Sequence, residues 1–340
     1  MPIPDDAASL AASSIRRRYA RRSLSVPGTR LGAVAYPPPT DPRSHWHYWW
    51  QAHYLDCLVD EHLRDPGGTA LADARKLARG IWLRNGGRWR NAYYDDMAWL
   101  ALSLQRLDAV GGRRREPRRR VRVLGRALAS AHTPDLGGGV YWNTARDYKN
   151  TPSTAPAALF FARAGDTTQA QELLDWLRAR LYDPAIGLYL DGVKADGSVE
   201  GTVERTVHTY NQGTVLGALV ATGGATNLGH AADLVGAVSR NLADDGVLPL
   251  SSGGDAGLFT GILARYLALV TSTPGIDPAA AATARALLEA TAERLWADRT
   301  EVEASLVFPP RQDGPVSLSS QLQAWMVLEA ERACRHPIIR

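Results

Sequence analysis

Apolar residues recur along this chain at helical rather than strand spacing, and clusters of Gly, Pro, Asn and Asp cut the pattern into about twelve segments. Ala7 to Arg22 reads as a first helix, with Leu10, Ile15 and Tyr19 apolar. A loop through Pro27-Gly28 and Pro37-Pro38-Pro39 leads to a second, which begins near His45 and is stopped by Asp65-Pro66-Gly67-Gly68. The third runs from Ala70 to Leu83, and Asn85-Gly86-Gly87 turns the chain into a fourth that carries Asp95-Asp96 and continues to about Val110. The fifth follows an arginine-rich stretch and ends near His132. Pro152 to Arg163 and Thr167 to Leu181 form the sixth and seventh, Thr209 to Ala221 and Leu228 to Leu242 the eighth and ninth. The tenth follows Ser251-Ser252-Gly253-Gly254-Asp255, and the eleventh spans Pro278 to Trp296. After an irregular stretch through Phe308-Pro309-Pro310, the twelfth covers Ser317 to Ala333. Only between Tyr182 and Glu204 does the spacing change to short alternating runs around Gly187, Asp191-Gly192 and Asp196-Gly197, which predicts a β-hairpin.

The helices alternate in character. The even-numbered ones are apolar on most faces, whereas the third, fifth, ninth and eleventh each carry a charged face: Arg75, Lys76 and Arg79; Arg120, Arg122 and Arg126; Asp233 and Arg240; Arg285, Glu289 and Glu293. A helix apolar all round is buried and a one-sided helix lies outside. The pattern therefore predicts an all-α (α/α)6 toroid with a small β-hairpin excursion, a single catalytic domain over 1–340 with 1–6 and 335–340 peripheral. The helical pairs lack the self-similarity of a solenoid repeat.

In such a toroid the inner helices run the same way and their N-termini meet at one mouth. Trp49-Trp50-Gln51 lies early in the second helix and Tyr94-Asp95-Asp96 opens the fourth. Trp142-Asn143 and Arg146 through Asn150 precede the sixth, and Thr209-Tyr210-Asn211-Gln212 opens the eighth. Phe259-Thr260 and Ser319-Ser320-Gln321 stand at the starts of the tenth and twelfth. Polar residues cap any helix, and acids there meet the helix dipole. Amides and tryptophan are not ordinary capping residues, so their recurrence at six mouths points to a shared cleft.

Composition adds one fact to this picture: ten Trp and twelve Tyr stand against four Phe. Aromatics with a polar edge suit a wet cleft, and sugars, with apolar C–H faces and a hydroxyl rim, are a natural occupant. The net charge of +4 is small for 340 residues. Its arginine runs, Arg16-Arg17-Arg18 through Arg21-Arg22 and Arg113-Arg114-Arg115 through Arg118-Arg119-Arg120, read as solvated surface, with no nucleic-acid partner expected. Cys57 and Cys334 are too far apart and too few for a disulfide framework, and Cys57 falls in an apolar helical pattern as a buried thiol. No secretory signal or membrane-length apolar run is visible, so a cytoplasmic monomer is expected.

The chemistry rests on Asp95 and Asp96. Glycoside hydrolysis needs one carboxylate to attack, or to activate water, and another to protonate the leaving oxygen. Neighbouring acids raise each other's cost of ionisation, so the two titrate as a unit. His45, His47 and His53 have mixed spacing and no HExxH-like set appears, so no metal or cofactor is expected. His208 is a possible cleft residue. Gly137-Gly138-Gly139 lacks the Gly-Lys-Ser/Thr of a phosphate loop.

Trp49-Trp50-Gln51, Tyr93-Tyr94-Asp95-Asp96-Met97-Ala98-Trp99, Trp142-Asn143 through Tyr148-Lys149-Asn150 and Thr209-Tyr210-Asn211-Gln212-Gly213 together resemble glycoside hydrolase family 76, the endo-α-1,6-mannanases, in order and over most of the chain. The resemblance implies an α/α toroid and a retaining double displacement on α-1,6-linked mannan, with Asp95 the nucleophile and Asp96 the general acid/base. Trp49, Trp50, Tyr94 and Trp142 are then candidate sugar platforms. Gln51, Asn143, Arg146, Asn150, Tyr210, Asn211 and Gln212 are candidate hydroxyl partners. Two other readings compete. A toroid sugar epimerase or unsaturated-uronide hydrolase would call for a catalytic histidine, and a non-catalytic glycan-binding protein would keep the cleft without turnover.

Overall fold

The computed structural model describes residues 2–41, 45–112, 119–251, 253–309 and 314–336. Of the features named above, Arg113 to Arg118, Ser252, Pro310 and residues 337–340 lie outside them. The helices are α1 (Ala7–Tyr19), α2 (Tyr48–Arg64), α3 (Ala70–Arg84), α4 (Tyr94–Val110), α5 (Arg119–Ala131) and α6 (Thr151–Arg163), followed by α7 (Thr167–Arg180), α8 (Thr209–Thr222), α9 (Ala225–Asn241), α10 (Phe259–Thr271), α11 (Pro278–Ala297) and α12 (Leu318–Arg335).

The even helices form a closed inner ring, in which each packs on the next and α12 returns to α2. The odd helices pack outside: α1 on α12, α3 on α2 and α4, α5 on α4, α7 on α6 and α8, α9 on α8, α11 on α10 and α12. This is the (α/α)6 toroid. The ring order follows from the apolar pattern. α6 is buried along nearly its whole length, from Thr151 to Ala162, and α12 from Leu318 to Glu331. α3 buries only the stripe Ala70, Asp73, Ala74, Leu77, Ala78, Gly80 and Ile81. Among the described residues no helix is long and apolar enough to cross a membrane.

Helix boundaries differ from the sequence expectation where the backbone is forced. α2 starts at Tyr48 rather than near His45, because His47 sits at φ +44, a left-handed conformation that no helix interior tolerates. Its ring stacks on Trp50 at 3.8 Å and 9°, which holds it there. α1 ends at Tyr19, three residues early, where Ala20 turns extended and pairs with Gly32. Of its arginines, Arg17 is exposed as expected, whereas Arg16 pairs with Glu61 and Asp73, and Arg18, 5% exposed, donates to the Val302 carbonyl.

The β-excursion is larger than a hairpin. Leu188–Lys194 pairs antiparallel with Thr202–Val207, and on its other side with Tyr148–Asn150, the segment that feeds α6. Gly192 is required there: a Cβ would stand 2.6 Å from both the Lys149 carbonyl and the Tyr148 ring. The register with Thr202–Val207 shifts between Leu190 and Gly192, so Asp191 sits at an irregularity that re-aims its side chain.

At the far end of the ring, a cavity of about 540 Å³ is lined by Arg106, Arg265, Asp60 and Glu329. Arg106 and Arg265 each bridge Asp56 and Asp60, and Arg64 grips Glu329 at 3.1 Å, so these charges neutralise one another. The network closes the base of the ring, where inner-helix C-termini favour cations. The chemistry lies at the other end.

Candidate active site

Asp95 and Asp96 occupy the first turn of α4. Three backbone contacts fix that turn: Tyr94 N–H donates to the Trp142 carbonyl at 2.7 Å, Tyr93 pairs with Asn143, and Thr144 N–H reaches the Ala92 carbonyl at 2.9 Å. The loop carrying Trp142 is itself pinned by Lys149. This fully buried ammonium donates to the carbonyls of Thr133, Asp135 and Gly138 and to the Thr133 hydroxyl at 2.7–2.9 Å, below the Tyr141 ring.

The two carboxylates are half-buried and differently dressed. Asp95 accepts the indole N–H of Trp142 at 3.0 Å and the backbone N–H of Asp96 at 2.8 Å. Asp96 accepts one side-chain donor, the Asn91 amide, at 2.5 Å. Burial raises Asp95 to about 7 against the pull of those N–H donors. Burial, with the negative charge of Asp95 added, pushes Asp96 well above the usual carboxylate range. Asp95 is thus the member that ionises first, and Asp96 keeps its proton.

Trp142→Phe keeps the ring and deletes the donor to Asp95. Losing one charge-assisted hydrogen bond of about 1.5–3 kcal/mol should lower kcat/KM roughly 10- to 100-fold and move the acidic limb of its pH profile upward. A pH series of initial rates checks this, and an unmoved limb would separate Trp142 from the titration of Asp95.

Beside the pair lies an aromatic floor. Trp49, Trp99, Tyr210 and Phe259 come from α2, α4, α8 and α10, with Trp49 6.4–6.5 Å from each of the other three and Tyr210 stacked on Phe259 at 4.1 Å. His53 lies between Trp49 and Trp99, and burial with the nearby Arg265 charge keeps it neutral. On the wall between α6 and α8, Asp191 accepts the Tyr148 hydroxyl at 2.5 Å and the Asn211 amide at 3.1 Å, with His208 Nε2 at 3.9 Å. Among the described residues no group of three or more His, Cys, Asp or Glu could hold a metal ion.

Not every residue expected to touch sugar reaches the cleft. Gln51 and Gln212 are fully buried, and each clamps both the N–H and the C=O of one incoming residue: Gln51 of Gly32, Gln212 of Tyr189. Gln321 holds Phe308 in the same way. Each is the fourth residue of its inner helix, so these amides tie the preceding segment to the helix mouth. Asn150 caps α6 through Ser153 N–H at 3.2 Å and is 3% exposed. Tyr94 and Trp50 are buried, and Asn211 has no solvent exposure and acts through Asp191. Arg146 is exposed but bends away, donating to the Ser130 carbonyl of α5 over the Tyr141 ring. Asn143, half-buried, accepts from Ala145 N–H at 2.8 Å. Trp49, Trp142 and Tyr210 remain half-buried at the cleft. The start of α12 is covered, with Ser319 and Ser320 at 0–1% exposure.

Three residues of this site receive no role in the sequence reading, although Trp99 stands in the motif that carries the resemblance. Trp99 had a usable signal, since it lies one turn beyond Asp95 on the same helix face. Asp191 had a partial one: Asp191-Gly192 resembles a turn but marks a strand irregularity. Asp255, behind Gly253-Gly254, looks like loop.

The model of glycosyl hydrolase family 76 matches residues 4–337. An inactive variant of the α-1,6-mannanase GH76A of Salegentibacter sp. HEL1_6, with two consecutive aspartates changed to asparagine and α-1,6-mannotriose bound, superposes with a TM-score of 0.86. It is 27% identical, over 97% of this chain and 99% of that one. The corresponding double alanine variant holds α-1,6-mannotetrose, with a TM-score of 0.85, 27% identity and coverage of 97% and 99%. The Lin0763 protein of Listeria innocua follows at 0.82, 26% identical over 96% of each chain. Among curated proteins, none matches the chain by sequence.

Proposed function

The chain belongs to glycosyl hydrolase family 76 and is a glycoside hydrolase; from that premise we propose that it cleaves α-1,6-linked mannose chains with retention, by double displacement on Asp95 and Asp96. The observation that carries this reading is the unequal dressing of the two carboxylates. Asp95, with two N–H donors, is the one suited to a negative charge, and Asp96, beside that charge, is the one suited to a proton.

Asp95 attacks the anomeric carbon while Asp96 passes its proton to the departing glycosidic oxygen. Formation of the glycosyl ester removes the charge on Asp95, and with it part of what keeps Asp96 protonated, so Asp96 becomes more acidic though still buried. Asp96 emerges as a carboxylate able to take a proton from water, whose oxygen then attacks the same carbon from the vacated face. Two inversions give net retention. The Trp142 and Asp96 backbone N–H groups, already in place, stabilise Asp95 again as it leaves.

Mannose fits the cleft chemically. The floor of Trp49, Tyr210 and Phe259 offers faces to C–H surfaces, and Asp191, held by Tyr148 and Asn211, offers a fixed acceptor to hydroxyls. The mannanase that resembles this chain is seen with α-1,6-mannotriose, which supports the linkage. A histidine-dependent epimerase or uronide chemistry has less support, because His53 is enclosed between tryptophans and His208 stands by Asp191 rather than by the pair. The test is proton NMR of α-1,6-mannotetraose digested by the wild-type chain. The first product to accumulate is expected to be the α-anomer, and β-anomer appearing first sinks the double displacement.

A further inference from the structure

Asp255 is a third carboxylate at the mouth, and the displacement above makes no use of it. It opens the short 3-10 segment Asp255–Leu258, behind Gly254 at φ +57. That segment lies across the start of α12. A Cβ on Gly257 would stand 2.4 Å from Ser319 Oγ, so only glycine permits the approach. Since α12 sits between α10 and α2 in the ring, Asp255 spans from the entrance of α10 to residues of α2 that are not its ring neighbours.

There one oxygen, Oδ1, accepts both indole N–H groups of α2, Trp49 at 3.1 Å and Trp50 at 2.8 Å. His47 Nδ1 is 3.8 Å away, but burial and the neighbouring His45 lower His47 to about 4, leaving it uncharged at neutral pH. Among the described residues Asp255 has no other cation beside it, and its side chain is 58% exposed. Its negative charge disfavours ionisation of Asp95, Asp96 and Tyr210 alike.

We infer that Asp255 is a positioning residue of this site: with one oxygen it holds both α2 indoles, and so fixes Trp49 at the cleft beside the buried Trp50. The inference rests on the cleft beside Asp95 and Asp96 being the glycan site. The titratable groups facing this corner are Asp95 and Asp96 of α4, His45, His47 and Tyr48 around the start of α2, and Tyr210 of α8. α10 presents Phe259, α12 presents Ser319, and the pair also meets Asn91 and Trp142.

Two variants of the full chain separate the parts. Asp255→Asn keeps an oxygen for the indoles, whereas Asp255→Ala removes it. Proton–nitrogen NMR follows the Trp49 and Trp50 indole N–H signals without any substrate. Asp255→Asn should leave those signals nearly unmoved. Asp255→Ala should shift both and raise KM for α-1,6-mannotetraose about fivefold, and Asp255→Asn should spare most of that rise. Unmoved indole signals in Asp255→Ala, or an equal rise of KM in both variants, overturns the inference. Because the indole signals need no turnover, a wild-type chain inert toward mannotetraose would reject the glycan reading and leave this result to stand by itself.

Discussion

Asp95→Asn is expected to lower α-1,6-mannotetraose cleavage by about 10,000-fold or more, with the fold and glycan binding retained. The substitution is nearly isosteric. The Trp142 indole and Asp96 N–H meet different oxygens of Asp95, so the single amide oxygen can keep one of these two contacts, and the backbone bonds of Tyr94 and Thr144 still tie the α4 entrance to the loop before α6. What disappears is the negative charge that forms the glycosyl bond, and a neutral amide is a poor replacement for it. The same change removes one of the charges that raise Asp96, so Asp96 becomes more acidic, while burial still holds it above the usual carboxylate range. Calorimetry with α-1,6-mannotriose alongside a discontinuous assay distinguishes the cases. Retained binding with activity lost supports the nucleophile role, whereas turnover within tenfold of wild type rules it out.

The ring was legible because its signal is long and redundant. Each inner helix has apolar residues on all sides, and α6 and α12 are buried along almost their full length. Errors of a few residues at helix ends cannot disguise that. The short strands were not legible. Ala20–Arg21 with Leu31–Gly32, and Ala35–Tyr36 with Val316–Ser317, are two-residue pairings whose partners lie far apart or across a loop. No local periodicity exists in two residues. His47 likewise looks like helix by composition, yet it stands at φ +44 with its ring stacked on Trp50.

At the site, the residues that declared themselves were those at helix starts, where chain direction alone brings six entrances together. The inference from residue type to role failed for the glutamines. An amide at a mouth is equally suited to a hydroxyl and to a peptide group, and Gln51 and Gln212 bind peptides because buried strands arrive there with unpaired N–H and C=O groups. Asp191 and Asp255 failed in the opposite direction. Both follow or precede glycine and resemble turns, yet the irregular strand and the 3-10 segment point them inward. Such aim comes from tertiary packing, as the contact of Gly257 on Ser319 shows, and sequence spacing does not record it.

Asp96→Ala should discriminate between substrates by their leaving groups. With α-1,6-mannotetraose the departing oxygen is a sugar alkoxide that needs a proton, and loss of the acid should cost about 1,000-fold. With a dinitrophenyl α-mannobioside the leaving phenolate needs none, so formation of the glycosyl ester should slow by less than about tenfold. Release then becomes limiting, because no base remains to deprotonate water, and a burst of dinitrophenolate should precede a slow steady state. Azide, which attacks without losing a proton, should restore that second step and yield the α-mannosyl azide. The pH profile adds a check of sign. In the wild type, activity rises as Asp95 ionises near its raised value of about 7 and falls at higher pH as Asp96 loses its proton. Deleting Asp96 removes the alkaline fall and leaves the acidic limb near its wild-type position, because Asp96 is still protonated and uncharged where Asp95 ionises, and burial sets that limb. Equal losses on both substrates, or a β-mannosyl azide, would mean that the acid and the nucleophile are not these two residues in these two roles.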